Sequence, residues 1–395
     1  MYEHVIAERM SRLGTESAFA ILAEAQRLEA RGKSVIHMEI GQPDFKTPQH
    51  IIEAAYKAMN DGYTGYAPTP GYPELRKAIA DYCVRVKHFD AKPEEVVVVP
   101  GGKPIMFFTM LMLVNPGDEV IYPNPGFPIY ESCIRFTGGV PVPMPLLPAN
   151  DFRIDLELLE KSINEKTKLI IINNPSNPTG AVFSREELLK VAELVRKHPN
   201  VMVMSDEIYD RLIYEGEPTA FASLPGMKER TIMLDGFSKT YSMTGWRLGY
   251  GVMPEELAEC AERLMVNSNS CTNGAVQMAG LEALTGPQDS VAVMREAFRE
   301  RRDYLVKALN EIPGIRCCTP KGAFYVFPDI SSFGLNCEEF YSRLMDAGVA
   351  CAWGTSFGSY GEGCIRLSYA TSMENIKEAV KRIAGLCERL NAEKA

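Results

Sequence analysis

The sequence predicts an α/β protein: a three-layer α/β/α large domain on a mostly parallel sheet, followed by a smaller α+β domain. Three observations carry the prediction. Apolar runs of strand length recur between residues 95 and 234, stretches of helical spacing separate them, and the texture changes after Pro287. Near-continuous β-branched or apolar runs imply strands covered on both faces, the condition of a parallel sheet between two layers of helices.

Taken in order, the first forty residues hold one helical pattern, Glu16 to Arg31. It stands apart from the strand pattern, so residues 1–45 are expected to form an arm that packs on the small domain. Residues 46–286 are read as the large domain. Its strand runs are Glu95–Val99, Glu119–Tyr122, Lys168–Ile172, Val201–Met204 and Thr231–Leu234. Helices between them include Ile105 to Leu113 and Ser184 to Lys197. Ser184 with Glu187 matches a capping box, in which the two side chains satisfy free N–H groups of the first helical turn. Residues 287–395 are read as the small domain: a charged helix from Ser290 to Leu309, a short-strand region from Ile315 to Phe327 and an amphipathic helix from Met373 to Leu390.

Composition narrows the function classes. The 395 residues are 46% apolar and 24% charged, ordinary for a globular enzyme. A net charge of −9 and the lack of any Lys/Arg run disfavour a nucleic-acid partner. No apolar stretch approaches the about 20 residues of a membrane span, and Met1 to Lys33 contains no secretory apolar core, so a cytoplasmic protein without a membrane partner is expected. Ten scattered cysteines without a Cys-x-x-Cys pair read as reduced packing residues. The five histidines, His4, His37, His50, His88 and His198, each stand apart from the Gly/Pro-rich loops, so neither a metal site nor Ser/His/Asp hydrolysis is expected.

The strand exits carry the chemistry, because ligands of open parallel sheets sit beyond the carboxyl ends of the strands. Lys239 lies beyond the run Thr231–Leu234, beside Gly236 and Ser238 and ahead of Arg247. An amine there can form an imine with an aldehyde cofactor, and the Arg can pair with its phosphate. In isolation the pair would read as a solvated lysine and a surface cation; the other exits argue against that. Gly101-Gly102-Lys103 follows Val99 and precedes a helix, a place where backbone N–H groups approach an anion, although Gly-Gly turns are common. Phe127 sits in the proline-stiffened loop Pro123 to Tyr130, placed to stack on a heteroaromatic ring or to pack as core. Asn177 is pinned within Asn173 to Gly180, where its amide can donate to a fixed oxygen. Asp206 follows four apolar residues; a desolvated carboxylate needs a cation such as a protonated pyridine nitrogen, and its alternative is a helix N-cap. Tyr209 is three residues on.

With these residues in hand the chain resembles the class I/II aminotransferases, fold-type I pyridoxal phosphate enzymes, over essentially its whole length. The matching motifs are Gly41-Gln-Pro-Asp44, Tyr66 with Pro70 to Arg76, Gly101-Gly-Lys103, Asn174 to Gly180, Asp206 to Tyr209, Ser238-Lys239 through Arg247, Lys321 to Tyr325 and Arg366-Leu-Ser. The resemblance implies that Lys239 carries pyridoxal 5'-phosphate and then acts as the acid/base of the proton shift. It implies that Asp206 pairs with the pyridine nitrogen, and that Tyr209 and Asn177 hydrogen-bond the phenolic oxygen. Gly101, Gly102, Ser238 and Arg247 would hold the phosphate, Phe127 would stack on the ring and Tyr66 would reach the phosphate site of a neighbouring subunit. Arg366 would clamp the substrate α-carboxylate near the Gly41 backbone. Lys103 falls where some bacterial aspartate aminotransferases are thought to hold a cation for a distal carboxylate; its alternatives are to serve the cofactor phosphate or to lie out of reach.

The expected enzyme is a homodimer with shared active sites, which moves an amino group from an L-amino acid to a 2-oxo acid by a ping-pong route, with dicarboxylic acids such as aspartate and 2-oxoglutarate among its expected substrates. The alternative within the same fold is elimination, replacement or oxidation at an amino acid. A cofactor-sensing regulator is disfavoured, since no basic helix-turn-helix segment is present. Gly354 and Gly358 offer flexible points for closure of the small domain.

Overall fold

The computed structural model describes residues 4–394. Its centre is a seven-stranded sheet made of β1 (Val96–Val99), β2 (Glu119–Asn124), β3 (Val140–Pro145), β4 (Thr167–Asn173), β5 (Met202–Asp206), β6 (Thr231–Gly236) and β7 (Gly249–Val252). The spatial order is β1-β7-β6-β5-β4-β2-β3. Strand β7 runs antiparallel to both neighbours, and the other pairs are parallel. The α/β class with a mostly parallel sheet is thus as the sequence indicates.

Burial on both faces explains the continuous apolar runs. In β1, Val97 and Val99 join one core with Ile105, Ile171 and Leu234, while Val96 and Val98 join another with Leu75, Ile79 and Met233. The first face is covered by helices Lys103–Leu113, Ile129–Thr137 and Glu255–Ser268; Arg185–Lys197, Pro73–Tyr82 and Gly274–Thr285 pack on the other. Helix Arg185–Lys197 begins with the expected capping box: Ser184 Oγ accepts from the Glu187 N–H at 3.2 Å, and Glu187 Oε2 accepts from the Ser184 N–H at 2.9 Å.

Two sheet strands were not legible. Strand β3 reads Val-Pro-Val-Pro-Met-Pro, and proline cannot donate to a ladder; the strand lies at the sheet edge, where missing donors are tolerated. Strand β7 is Gly-Tyr-Gly-Val, weak in strand propensity but close-packed. A Cβ on Gly249 would come within 2.7 Å of the Gly101–Gly102 backbone, so the absent side chain lets β7 lie under the turn that follows β1.

A second, three-stranded antiparallel sheet places Ile365–Ser368 between Ala352–Trp353 and Tyr325–Val326. Helices Asp289–Asn310, Cys337–Asp346 and Met373–Lys394 accompany it. The short-strand region is sparser than its sequence indicates, with Tyr325–Val326 the paired strand and Arg316 bridging Asp329. Near the N-terminus, helix Ser17–Glu29 buries Ile21 and Ala25 in the same core as Leu344 and Val349. Tyr341 donates to Glu24 at 2.6 Å, and Ile36–His37 pairs in parallel with Val349–Ala350. Gly354 and Gly358 are not slack: a Cβ on Gly354 would collide with the Gly361 carbonyl, and one on Gly358 with the Asn124 side chain.

Candidate active site

The loops after β1, β2, β4, β5 and β6 converge with Arg366 and the segment around Gly41 on a cavity of about 530 Å³. Gly41, Gly102, Lys103, Phe127, Asn177, Asp206, Tyr209, Ser238, Lys239, Arg247 and Arg366 all line it. Gly101 stands just behind the wall, and Tyr66 lies apart from it, 92% exposed.

Lys239 follows the end of β6 and its Nζ donates to the Gly41 carbonyl at 2.5 Å. Burial lowers its pKa to about 8, with the positive charges of Arg366, Arg247 and Lys103 acting in the same direction and Glu16 against it. Asp206 is the last residue of β5 and is buried. Its carboxylate accepts from the Tyr130 hydroxyl at 2.6 Å and from the Ile208 N–H at 3.2 Å. Burial raises its pKa to about 6, although both hydrogen bonds favour the charged form. No helix follows Asp206, so its N-cap alternative falls away.

Arg366 is buried in the central strand of the small sheet. It donates to the Asn177 side-chain oxygen at 3.1 Å and to the Glu39 carbonyl. The Tyr325 and Phe357 rings flank its guanidinium, with centroids 4.6 and 4.8 Å away. The Asn177 backbone N–H is itself held by the Asn173 side chain at 2.7 Å. Tyr209 meets Tyr325 hydroxyl to hydroxyl at 2.9 Å.

Glycine makes room for the cations. Gly101 has φ +82, and a Cβ there would lie 2.7 Å from Arg247 Cζ, so only glycine lets the guanidinium approach that turn. Gly102 is the N-cap of helix Lys103–Leu113 and lines the cavity, and a Cβ there would crowd the Leu234 side chain at 3.0 Å. Lys103, the first helical residue, holds its ammonium 5.5 Å from the Phe127 ring centroid and is paired with Glu16.

A family model described as aminotransferase class I and II matches residues 33–383. The chain belongs to the class I and II aminotransferases. It is 39% identical to an aspartate aminotransferase of Bacillus sp. (strain YM-2), with 96% of this chain and 98% of the relative covered. It is 40% identical to a probable aspartate/prephenate aminotransferase of Aquifex aeolicus, covering 98% and 99%. Among solved structures, the aspartate aminotransferase from Thermus thermophilus with maleate superposes with a TM-score of 0.93 at 38% identity, covering 96% of this chain and 99% of that one.

In this aminotransferase three cavity residues escaped sequence reasoning. Tyr130 lies in helix Ile129–Thr137 and meets Asp206 only through the fold. Tyr325, quoted as part of a motif, carries no local sign that its ring supports Arg366 and its hydroxyl meets Tyr209. One signal was available: a Cβ on Gly41 would collide with the Tyr325 hydroxyl, so the glycine of Gly41-Gln-Pro-Asp44 is required by a partner 284 positions away (325 − 41). Glu16 arrives from the arm, and nothing adjacent to it in sequence marks its place in the cavity.

Proposed function

We propose that this aminotransferase holds pyridoxal 5'-phosphate on Lys239 and moves an amino group from an L-amino acid to a 2-oxo acid by a ping-pong route, dicarboxylic substrates included. The observation that carries the reading is the convergence of a desolvated amine, a buried carboxylate and a buried guanidinium on one cavity.

The residues present fit the cofactor. Asp206 is buried, and among the described residues it forms no ion pair; a protonated pyridine nitrogen would provide its cation. Arg247 beside the Gly101–Gly102 turn, with Ser238 and the helix N-terminus, forms a cradle for a phosphate. Tyr209 and the Asn177 amide suit the phenolic oxygen, and Phe127 suits the ring face. Arg366 Nε is buried with no partner, a donor left over for a substrate carboxylate. The exposure of Tyr66 is consistent with service to the site of a second copy in a homodimer.

Pyridoxal phosphate, when bound, supplies an electron sink for the charge left as a substrate Cα–H bond breaks. The chain contributes position and acid–base chemistry. Arg366, braced by Glu39, Asn177 and two rings, takes the α-carboxylate in a bidentate pair and so orients the rest of the substrate. Lys239 Nζ, with a lowered pKa and therefore a larger neutral fraction near pH 8 than an exposed lysine, takes the Cα proton and returns one. Lys103 faces the substrate side chain and would attract a distal carboxylate. Relatives named aspartate aminotransferase and the Thermus structure with maleate, a dicarboxylate, support that choice.

In this reading residues 287–395, with the arm 1–45, close over the large domain 46–286 and exclude water. The location is cytoplasmic, a reading supported by ten unpaired cysteines. The test is a spectroscopic half-reaction. An amino acid alone should convert bound cofactor stoichiometrically from its aldehyde to its amine form, and a 2-oxo acid should reverse it. Release of ammonia without that cycle would sink transamination in favour of elimination.

A further inference from the structure

Among the cavity's cations, the proposed function assigns Arg366 to the α-carboxylate, Arg247 to the phosphate and Lys239 to the cofactor. Lys103 is left for the side chain, and it already has a carboxylate. Lys103 Nζ donates to Glu16 Oε1, an ion pair that joins the N-terminal arm to the helix after β1. Both residues line the cavity. Glu16 is the more enclosed partner, its side chain 18% exposed against 46% for Lys103. It occupies the N-cap position of helix Ser17–Glu29 but makes no capping hydrogen bond, so its carboxylate is committed to Lys103. The adjoining wall is apolar, formed by Ala18, Phe19, Ile40 and Phe127.

An incoming distal carboxylate therefore meets a neutral pair. Two carboxylates sharing one ammonium in a partly enclosed site repel each other, so one must leave or take up a proton. An uncharged side chain faces no such conflict and gains contact with the apolar wall.

We propose that Glu16 is an internal competitor for Lys103: its carboxylate stands where a dicarboxylic substrate's distal carboxylate would bind, and it sets, through Lys103, the preference between dicarboxylic and uncharged side chains. The inference rests on the reading of Lys103 as the side-chain cation. Glu16 is in this sense a positioning residue.

The test compares 2-oxoglutarate with pyruvate as acceptors for the holoenzyme. Glu16→Gln should raise the ratio of kcat/KM for 2-oxoglutarate over pyruvate by about tenfold, mainly through a lower KM for 2-oxoglutarate. The inhibition constant for glutarate, an unreactive dicarboxylate, should fall by a similar factor. Glu16→Asp keeps the charge and should stay nearer the wild-type ratio. The effect of Glu16→Gln on the ratio should vanish in a Lys103→Ala background, which a general structural role of Glu16 would not produce. If Glu16→Gln leaves the ratio unchanged or lowers it while Lys103→Ala still loses 2-oxoglutarate selectively, the competitor is overturned and the role of Lys103 stands. If Lys103→Ala weakens both acceptors equally, the role of Lys103 fails and the competitor fails with it.

Discussion

Asp206 and Glu207 are adjacent at the end of β5, equally buried, and solve the problem of a buried carboxylate in opposite ways. Glu207 belongs to a buried ionic cluster. Its Oε2 accepts from Lys87 Nζ at 2.9 Å, and its Oε1 accepts from the Ser205 hydroxyl at 2.8 Å and the Phe221 N–H at 3.1 Å. The same ammonium reaches Asp210 at 2.7 Å and Asp235 at 2.9 Å. Burial opposes the charge on Lys87, but the three carboxylates outweigh it and hold its pKa well above the ordinary lysine range. Asp206 has only a hydroxyl and an amide, and burial prevails there. The fold itself gives Glu207 an ammonium and two further donors, although one ammonium does not offset three carboxylates and burial raises the Asp235 pKa to about 7. Asp206, beside the cavity and without an ion pair among the described residues, is the carboxylate that the proposed function matches to a ligand's cationic group.

The comparison gives separable expectations. Lys239→Ala should reduce turnover by roughly 10⁴-fold or more, since under the proposed function it removes both the cofactor's anchor and the acid/base. It should leave the Lys87 cluster and the apo-protein's unfolding midpoint nearly unchanged. Retained turnover would place the chemistry elsewhere.

Next come the two sides of β5. Asp206→Asn should lower kcat by about 10²-fold in a folded, cofactor-loaded protein, because under the proposed function the ring loses its fixed anion. Lys87→Met should instead cost about 3–5 kcal/mol of stability in denaturant unfolding, since it strands buried carboxylates. If Lys87→Met abolished activity without loss of stability, the two regions would not be distinct.

A smaller effect appears in the pH dependence of the apo-protein. The folded pKa of Asp206, about 6, lies above the ordinary 3.8, so between these values the folded state retains a proton that the unfolded state has lost. Its contribution to stability therefore falls as pH rises from about 4 to about 6. Asp206→Asn should be more stable than wild type at pH 7, with the advantage vanishing near pH 4. Pyridoxal phosphate should reverse the sign by giving the wild-type carboxylate its cation. Chemical denaturation across pH, with and without cofactor, checks both statements.

The smallest effect belongs to Tyr130. Tyr130→Phe removes one hydrogen bond to Asp206 and should lower kcat/KM by about three- to tenfold. No change would mean that the hydroxyl is dispensable to the carboxylate's role.

Legibility followed the same physics. Strands buried on both faces advertised themselves through valine and isoleucine runs, and their exits marked Lys239, Asp206 and Asn177. The proline-rich edge strand β3 and the glycine-bearing β7 broke that pattern because their constraints come from neighbours: an unpaired edge in one case, a close turn in the other. Within the cavity, residues on strand-exit loops could be found from spacing. Tyr130, Tyr325 and Glu16 could not, because each reaches the site across a long sequence separation from a helix, the small sheet or the arm.

Under the proposed function, Lys239 is the amine that holds the cofactor. Borohydride reduction of the holoenzyme followed by peptide mapping tests it directly. A pyridoxyl adduct is expected on Lys239 alone and should be lost in Lys239→Ala; an adduct on Lys103 or any other lysine would overturn the assignment.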